Sequence, residues 1–301
     1  MSPSGPKTRR TRAPKALPRT SSIEEIRAVV HRWRGRGNHI ALVPTMGAIH
    51  QGHLSLVRRA RAAGADRVIV SIFVNPLQFG PHEDFRRYPR PIAKDRRLLA
   101  KEHVDLLWEP RVSELYPENH RTRVKVRGLG EVLEGGSRPG HFEGVTTVVL
   151  KLLHVVQPDE MWLGQKDAQQ ALILERMCLD LDLPVTVKRA PTIREPDGLA
   201  CSSRNVYLSP AERAQAVALS KGLSAARAAL KAGERSSRDL IARIRKAWKA
   251  YPMVREDYAV VVDARTLEPV REVKRGARVL VAVAARVGSA RLIDNFEWCA
   301  P

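Results

Sequence analysis

Cysteine is scarce in this chain of 301 residues: Cys178, Cys201 and Cys299 are the only three. They lie far apart, without the spacing of a disulfide framework or a metal site, and read as reduced thiols in the cytoplasm. Long apolar runs are missing too. No window approaches the roughly 18 uninterrupted apolar residues of a membrane-spanning helix, which argues against a membrane protein. Aromatic residues are few, at 5%, and they do not interleave with basic ones as in RNA-binding motifs. Acidic residues are absent from the first 20 positions, which hold six Lys or Arg among prolines and threonines. Such a segment buries too little apolar surface to fold, so residues 1–20 are expected to form a disordered basic tail. It also lacks the apolar core of a secretory signal.

What abounds is positive charge. A formal net charge of +20 attracts nucleotides, phosphorylated metabolites, nucleic acid and acidic lipid alike, and does not choose among them. The hydrophobic content of 44% fits a soluble globular protein long enough for a real core.

Short β-branched runs alternate with amphipathic ones. Ser22 and Glu25 are spaced as a capping box at the head of a helix in "SSIEEIRAVVHRW". "HIALVP", "RVIVSIFV", "VDLLW", "EMWLG" and "VTVKRAP" read as strands. Helices are expected over about 53–63, in "IAKDRRLLAKEH", in "GVTTVVLKLLHVV", and in "DAQQALILERMCLDL" behind an Asp167 cap. This alternation signals βαβ units and a parallel sheet, an α/β domain over residues 21–191. Right-handed crossovers put every strand-to-helix turn on one edge of that sheet, where ligands of open α/β folds bind. The turns after "HIALVP", "VSIFV" and "EMWLG" should therefore converge. Past Thr192 a Gly-, Ser- and Asn-rich loop leads to a long helix capped by Ser209, Pro210 and Glu212 and reaching about Lys231. A second helix and strands near "DYAVVVDA", "RVLVAVAAR" and "RLIDN" complete a smaller α+β domain over residues 192–301.

Three turns carry the chemistry. In "PTMGAIHQGH", Pro44 ends a strand, Gly47 and Gly52 leave room for a ligand near the backbone, and a helix N-terminus offers free N–H groups to an anion. His50 and His53 lie one helical turn apart and can face one ligand. "VNPLQFG" places Asn75 and Gln78 at the second strand end, uncharged groups able to orient a hydroxy acid. "WLGQKDAQQ" places Gly164, Lys166, Asp167 and Gln170 at the third. "CSSRN", downstream of Asp197 and Gly198, supplies Ser202, Ser203 and Arg204 as a mobile clamp for phosphates.

Taken in order, "LVPTMGAIHQGH", "VSIFVNPLQF", "YPR", "LEGGSRPGHFEGV", "VQPD", "GQKDAQQ", "DGLACSSRN" and "RLIDN" make the chain resemble the pantothenate synthetase (pantoate–β-alanine ligase) family along nearly all of residues 21–297. The resemblance implies a Rossmann-like nucleotidyltransferase domain under a C-terminal lid domain. It implies ATP-dependent condensation of pantoate with β-alanine through a pantoyl adenylate, with release of AMP and pyrophosphate. On the matching positions, Met46, Gly47, Ala48, Ile49, His50, Gln51, Gly52 and His53 would hold ATP, with His53 as proton donor. Gly164, Gln165, Lys166, Asp167, Ile193, Cys201, Ser202, Ser203 and Arg204 would complete the nucleotide site. Gln78 and Gln170, with Asn75, would receive pantoate and β-alanine. His50, His53, Lys166 and Arg204 would stabilise charge growing on the phosphates. Mg²⁺ would ride on those phosphates, with Asp95 as a second contact, and a cytoplasmic homodimer would form through the N-terminal domains.

Three positions depart from the family pattern. Gln165 replaces a usual Glu and removes negative charge beside Lys166; Ala168 replaces an aromatic and is expected to loosen packing; Cys201 replaces a Met. Two other readings compete. A nucleotidyltransferase acting on a phosphorylated acceptor would share the first turn, but "VNPLQF" and "GQKDAQQ" supply neutral hydrogen-bonding groups suited to a hydroxy acid. An RNA-binding protein on a dead nucleotide fold has only the net charge in its favour.

Overall fold

The computed structural model describes residues 17–81 and 83–301. The chain runs β1 (Arg19–Thr20), α1 (Ile23–Arg34), β2 (Ile40–Thr45), α2 (Gln51–Ala62), β3 (Arg67–Ile72), α3 (Ile92–Lys101) and β4 (Leu106–Trp108). It continues through α4 (Val112–Leu115), α5 (Glu134–Ser137), α6 (His141–Val156), β5 (Glu160–Gly164), α7 (Ala168–Asp180) and β6 (Thr186–Ala190). Strands β1 to β6 form one parallel sheet in the order β1-β4-β3-β2-β5-β6. The order turns back on either side of β2, so the switch point lies between β2 and β5, where open sheets of this kind leave a crevice.

Alternation along the strands divides two cores, because successive side chains leave a strand on opposite faces. Ile40, Leu42, Ile69, Leu106 and Trp108 pack with α1, α6 and α7 on one face. Ala41, Val43, Val68, Val70 and Leu107 pack with α2 and residues near α3 on the other. With both faces covered, the strands read as unbroken apolar runs, which is why the sequence suggested parallel pairing.

Beyond β6, α8 (Pro210–Ala216), α9 (Ala218–Lys231) and α10 (Ser237–Trp248) precede β7 (Val254–Asp263), β8 (Arg278–Val287) and β9 (Ala290–Cys299). These last strands form a separate antiparallel sheet in the order β7-β8-β9. One face packs on α9 and α10. The other presents Val262, Leu280 and Ala282 to Ala168 at the head of α7. Ala168 is 3% exposed, so the expected loosening is corrected: the small side chain packs closely against the second sheet. No helix among the described residues is long and apolar enough to cross a membrane.

Several local expectations change. Residues 1–16 lie outside the described residues, but the tail expected over 1–20 ends before Arg19–Thr20, which pair with Leu107 and Trp108 at the sheet edge. Glu25 does not close a capping box: Ser22 Oγ caps the helix, while the Glu25 carboxylate accepts from the Thr20 hydroxyl. Asp167 precedes α7 without capping it, because its carboxylate accepts from Lys166 Nζ at 3.2 Å. The long helix expected up to Lys231 is broken at Val217 into α8 and α9.

Candidate active site

Thr45 ends β2, and Gly47 and Ala48 then take left-handed φ values of 83° and 51°. A Cβ on Gly47 would lie 3.1 Å from Ile72 and 3.2 Å from Asp95. Asp95, buried in α3, accepts the Ala48 and Ile49 N–H groups at 2.8 Å each and so holds the strained turn from beneath. The role suggested for it beside Mg²⁺ is corrected, since Asp95 is 1% exposed and does not line the cleft described below. Gly52 makes room within the turn as well: a Cβ there would meet the His50 ring at 2.7 Å.

That ring needs the room because His50 caps α2. Its Nδ1 accepts the Gly52 N–H at 3.1 Å, and His53 Nδ1 accepts the His50 N–H at 3.4 Å. A nitrogen that accepts from an amide carries no proton, so Nε2–H is the remaining donor of each imidazole. The rings lie 4.0 Å apart between centroids. Desolvation, and then Lys166, lower the His50 pKa to about 4. Desolvation, then His50 and Lys166, hold His53 well below the ordinary histidine value. Both are neutral donors at neutral pH.

The three strand-end turns do converge. A cleft of about 770 Å³ is lined by Met46, His50, Gly52 and His53 from the first turn, Gln78 from the second, and Gly164, Lys166, Asp167 and Gln170 from the third. Ile193, Cys201, Ser202, Ser203 and Arg204 line it from the loop beyond β6. Around Gly164 nothing would touch an added Cβ, leaving the backbone open to a ligand.

Six other expected contacts do not line this cleft. Gly47, Ala48 and Ile49 form the floor of the turn, and exposed Gln51 receives Arg58 at its side-chain oxygen. Asn75 is 1% exposed, with its amide spent on Gln78 Oε1, Gly144 O, the Leu77 N–H and the Tyr116 hydroxyl. It orients Gln78 from behind. Gln165 turns away from the phosphate side and donates to Asn295 at 3.3 Å and Glu297 at 3.1 Å. The loss of negative charge beside the cleft is therefore corrected to a change at the contact between the two sheets.

Other cleft residues went unassigned in the sequence. Arg204 grips Asp84 through Nε and Nη2 at 3.1 Å each, and Tyr88 shares a hydrogen bond of 2.9 Å with Ser203. His141 Nδ1 donates to Gln78 O at 2.8 Å, so its Nε2 accepts from Arg138 at 3.1 Å. Burial and Arg138 lower the His141 pKa to about 4. "YPR" and "SRPGHF" were the available signals, but a pairing across the chain leaves no local spacing to read.

Fold and cleft together define a Rossmann-like α/β protein whose ligand crevice, at the carboxyl edge of a parallel sheet, is flanked by a small C-terminal domain. The sequence profile of the Pantoate-beta-alanine ligase family matches residues 19–297. The pantothenate synthetase of Moorella thermoacetica is 51% identical over 274 residues, 91% of this chain and 96% of that one. The crystal structure of pantothenate synthetase from Thermus thermophilus superposes with a TM-score of 0.87 at 47% identity, covering 93% of this chain and 99% of that one. The pantoate-beta-alanine ligase of Francisella tularensis, complexed with beta-gamma ATP and beta-alanine, gives 0.76 at 32% identity, covering 93% and 97%. The chain belongs to the pantoate–β-alanine ligase family and is an enzyme that forms an amide bond.

Proposed function

We propose that the enzyme condenses pantoate with β-alanine in two steps within this one cleft. The pantoate carboxylate attacks the α-phosphorus of ATP, giving pantoyl adenylate and pyrophosphate. The amine of β-alanine then attacks the acyl carbon, and AMP leaves as the amide forms. The convergence of His50, His53 and Lys166 on the space flanked by Gln78 and Gln170 carries this reading.

Attack at phosphorus builds negative charge on the phosphoryl oxygens and on the leaving pyrophosphate. Two neutral Nε2–H donors and the Lys166 ammonium, held before the substrate arrives, stabilise that charge more than the ground state. Arg204 keeps Nη1 free of Asp84 and can turn it to a phosphate. Gln78 and Gln170 present amides to the hydroxy acid. No side-chain nucleophile is required, because both attacking groups belong to substrates. The mixed anhydride reacts with water, so residues 192–301 serve as a lid and the loop at 201–205 closes over the intermediate.

Among the described residues no three His, Cys, Asp or Glu gather to hold a metal, and Asp95 does not line the cleft. The protein donors do not make a metal cage. Mg²⁺ enters the proposal only as the companion of ATP, and no step is derived through it. A homodimer in the cytoplasm completes the proposal, on the family likeness.

Mass-spectrometric product identification with each substrate omitted in turn is the test. AMP and pyrophosphate are expected only when pantoate is present, and pantothenate only when β-alanine is added. Pyrophosphate release without pantoate, or no pantothenate from the full mixture, refutes the assignment.

A further inference from the structure

"LEGGSRPGHFEGV" and "RLIDN" carry part of the family likeness, yet Glu134 and Arg291 within them have no task in the steps above. They meet across 157 residues: Arg291 Nη1 donates to Glu134 Oε2 at 2.5 Å and Nη2 to Oε1 at 2.8 Å. The Tyr258 hydroxyl, from β7, donates to the same Oε1 at 2.8 Å. Arg291 Nε donates to Asp257 at 2.8 Å, and Asp257 also accepts from Ser137 at 3.3 Å. The pair is largely buried at the edge of the cleft, with side chains 9% and 15% exposed. Desolvation offsets most of the attraction in such a pair, so it adds little net stability; its use is to hold a registry.

What it registers is the width of the cleft. Arg291 and Asn295 lie four residues apart on β9, which places them on one face with about 13 Å between them. Asn295 Nδ2 donates to the Lys166 carbonyl at 2.7 Å and fixes the third turn. Arg291 fixes Glu134, whose N–H donates to Gln169 Oε1 at 3.1 Å. Gln169 Nε2 donates in turn to Leu129 O and Val132 O, at 2.8 Å each. One strand thus holds the Lys166 turn with one residue and the 129–137 wall with another, and Gln170 follows Gln169 directly.

We propose that Glu134, Tyr258 and Arg291 are positioning residues, an interdomain clamp that sets the spacing of the subsite beside Gln170 without touching the nucleotide turn. The clamp rests on the reading of Gln170 as a pantoate contact.

Glu134→Gln keeps the shape and removes the charge; Arg291→Lys removes the bidentate grip and serves if the first variant fails to fold. Steady-state kinetics in the full-length enzyme should show the pantoate KM rising on the order of ten- to a hundred-fold, as for other misplaced binding groups. The ATP KM should stay within about twofold, the mark of a lost ground-state contact to one substrate only. Tyr258→Phe should shift the pantoate KM in the same direction by less. Hydrogen–deuterium exchange of the unliganded protein should quicken at 129–137 in the Glu134 and Arg291 variants. An unchanged pantoate KM, an equal rise in both KM values, or unchanged exchange at 129–137 overturns the clamp. Wild-type protein that makes no pantothenate removes the catalytic reading instead, and exchange at 129–137 still reports on the clamp.

Discussion

Asp95 shows how one side chain can support a site it never enters. Its two oxygens answer two amides in a turn where Ala48 is held at φ 51°. Asparagine there would set an NH2 donor against one of those amides and leave it unpaired, a loss of roughly 1–3 kcal/mol. Asp95→Asn is expected to lower the melting temperature and weaken ATP binding together; calorimetry that finds both unchanged would free the turn from this carboxylate. The histidines give a second expectation. His50 and His141 are each lowered from 6.5 to about 4, so in the folded state they refuse protons that the unfolded chain accepts. Their contribution is complete above pH 6.5 and is lost as pH falls toward 4. Thermal melts should drop across that window, and His141→Asn, which retains a donor for Gln78 O, should flatten the drop. A melting temperature level between those limits would contradict the burial assigned to both rings.

At the scale of elements, the register of α6 decides where Gln78 sits. Gly144 lies against the short 3₁₀ turn at Pro76–Gln78, and an added Cβ would fall 2.3 Å from Leu77 O and 2.7 Å from Gln78 Cα. Both are backbone atoms, which cannot swing away as a flexible side chain would. Gly144→Ala should therefore destabilise by roughly 1–3 kcal/mol or more, and it should raise the pantoate KM by pushing the turn outward. Melting curves and pantoate titration check both; a stable variant with native affinity would mean that helix and turn can part freely. Helix existence was legible in "GVTTVVLKLLHVV" because a long apolar run without turn residues leaves few alternatives. This close approach was not, because the glycine's partner lies more than sixty residues upstream.

Across the whole molecule, two sheets meet along α7 and β9, and Gln165 lies in that contact. Its amide donates to Glu297, which also accepts from Arg189 and Arg278. Gln165→Glu would face one carboxylate with another, and a loss near 1 kcal/mol corresponds to a melting temperature lower by roughly 2–4 °C. The deficit should vanish in acid as the new carboxyl takes a proton. The Mg²⁺ dependence of turnover should not move, because Gln165 does not line the cleft; a changed metal optimum would put it back beside the phosphates.

Contiguity marks what the amino-acid order determined by itself. Strand, turn, paired histidines and helix lie within "LVPTMGAIHQGH", where backbone preference and hydrophobic period act over a few residues, and the parallel sheet followed from runs buried on both faces. Tertiary structure alone decided which polar groups face the cleft and which are turned into the protein behind it. Asn75, Gln165 and Asp95 look as available in the chain as Gln78, Lys166 and Asp167 do. Only packing sets the first three behind the cleft, against Gly144, Glu297 and the Ala48 amide, while the last three keep a face on it although they too bond to protein neighbours.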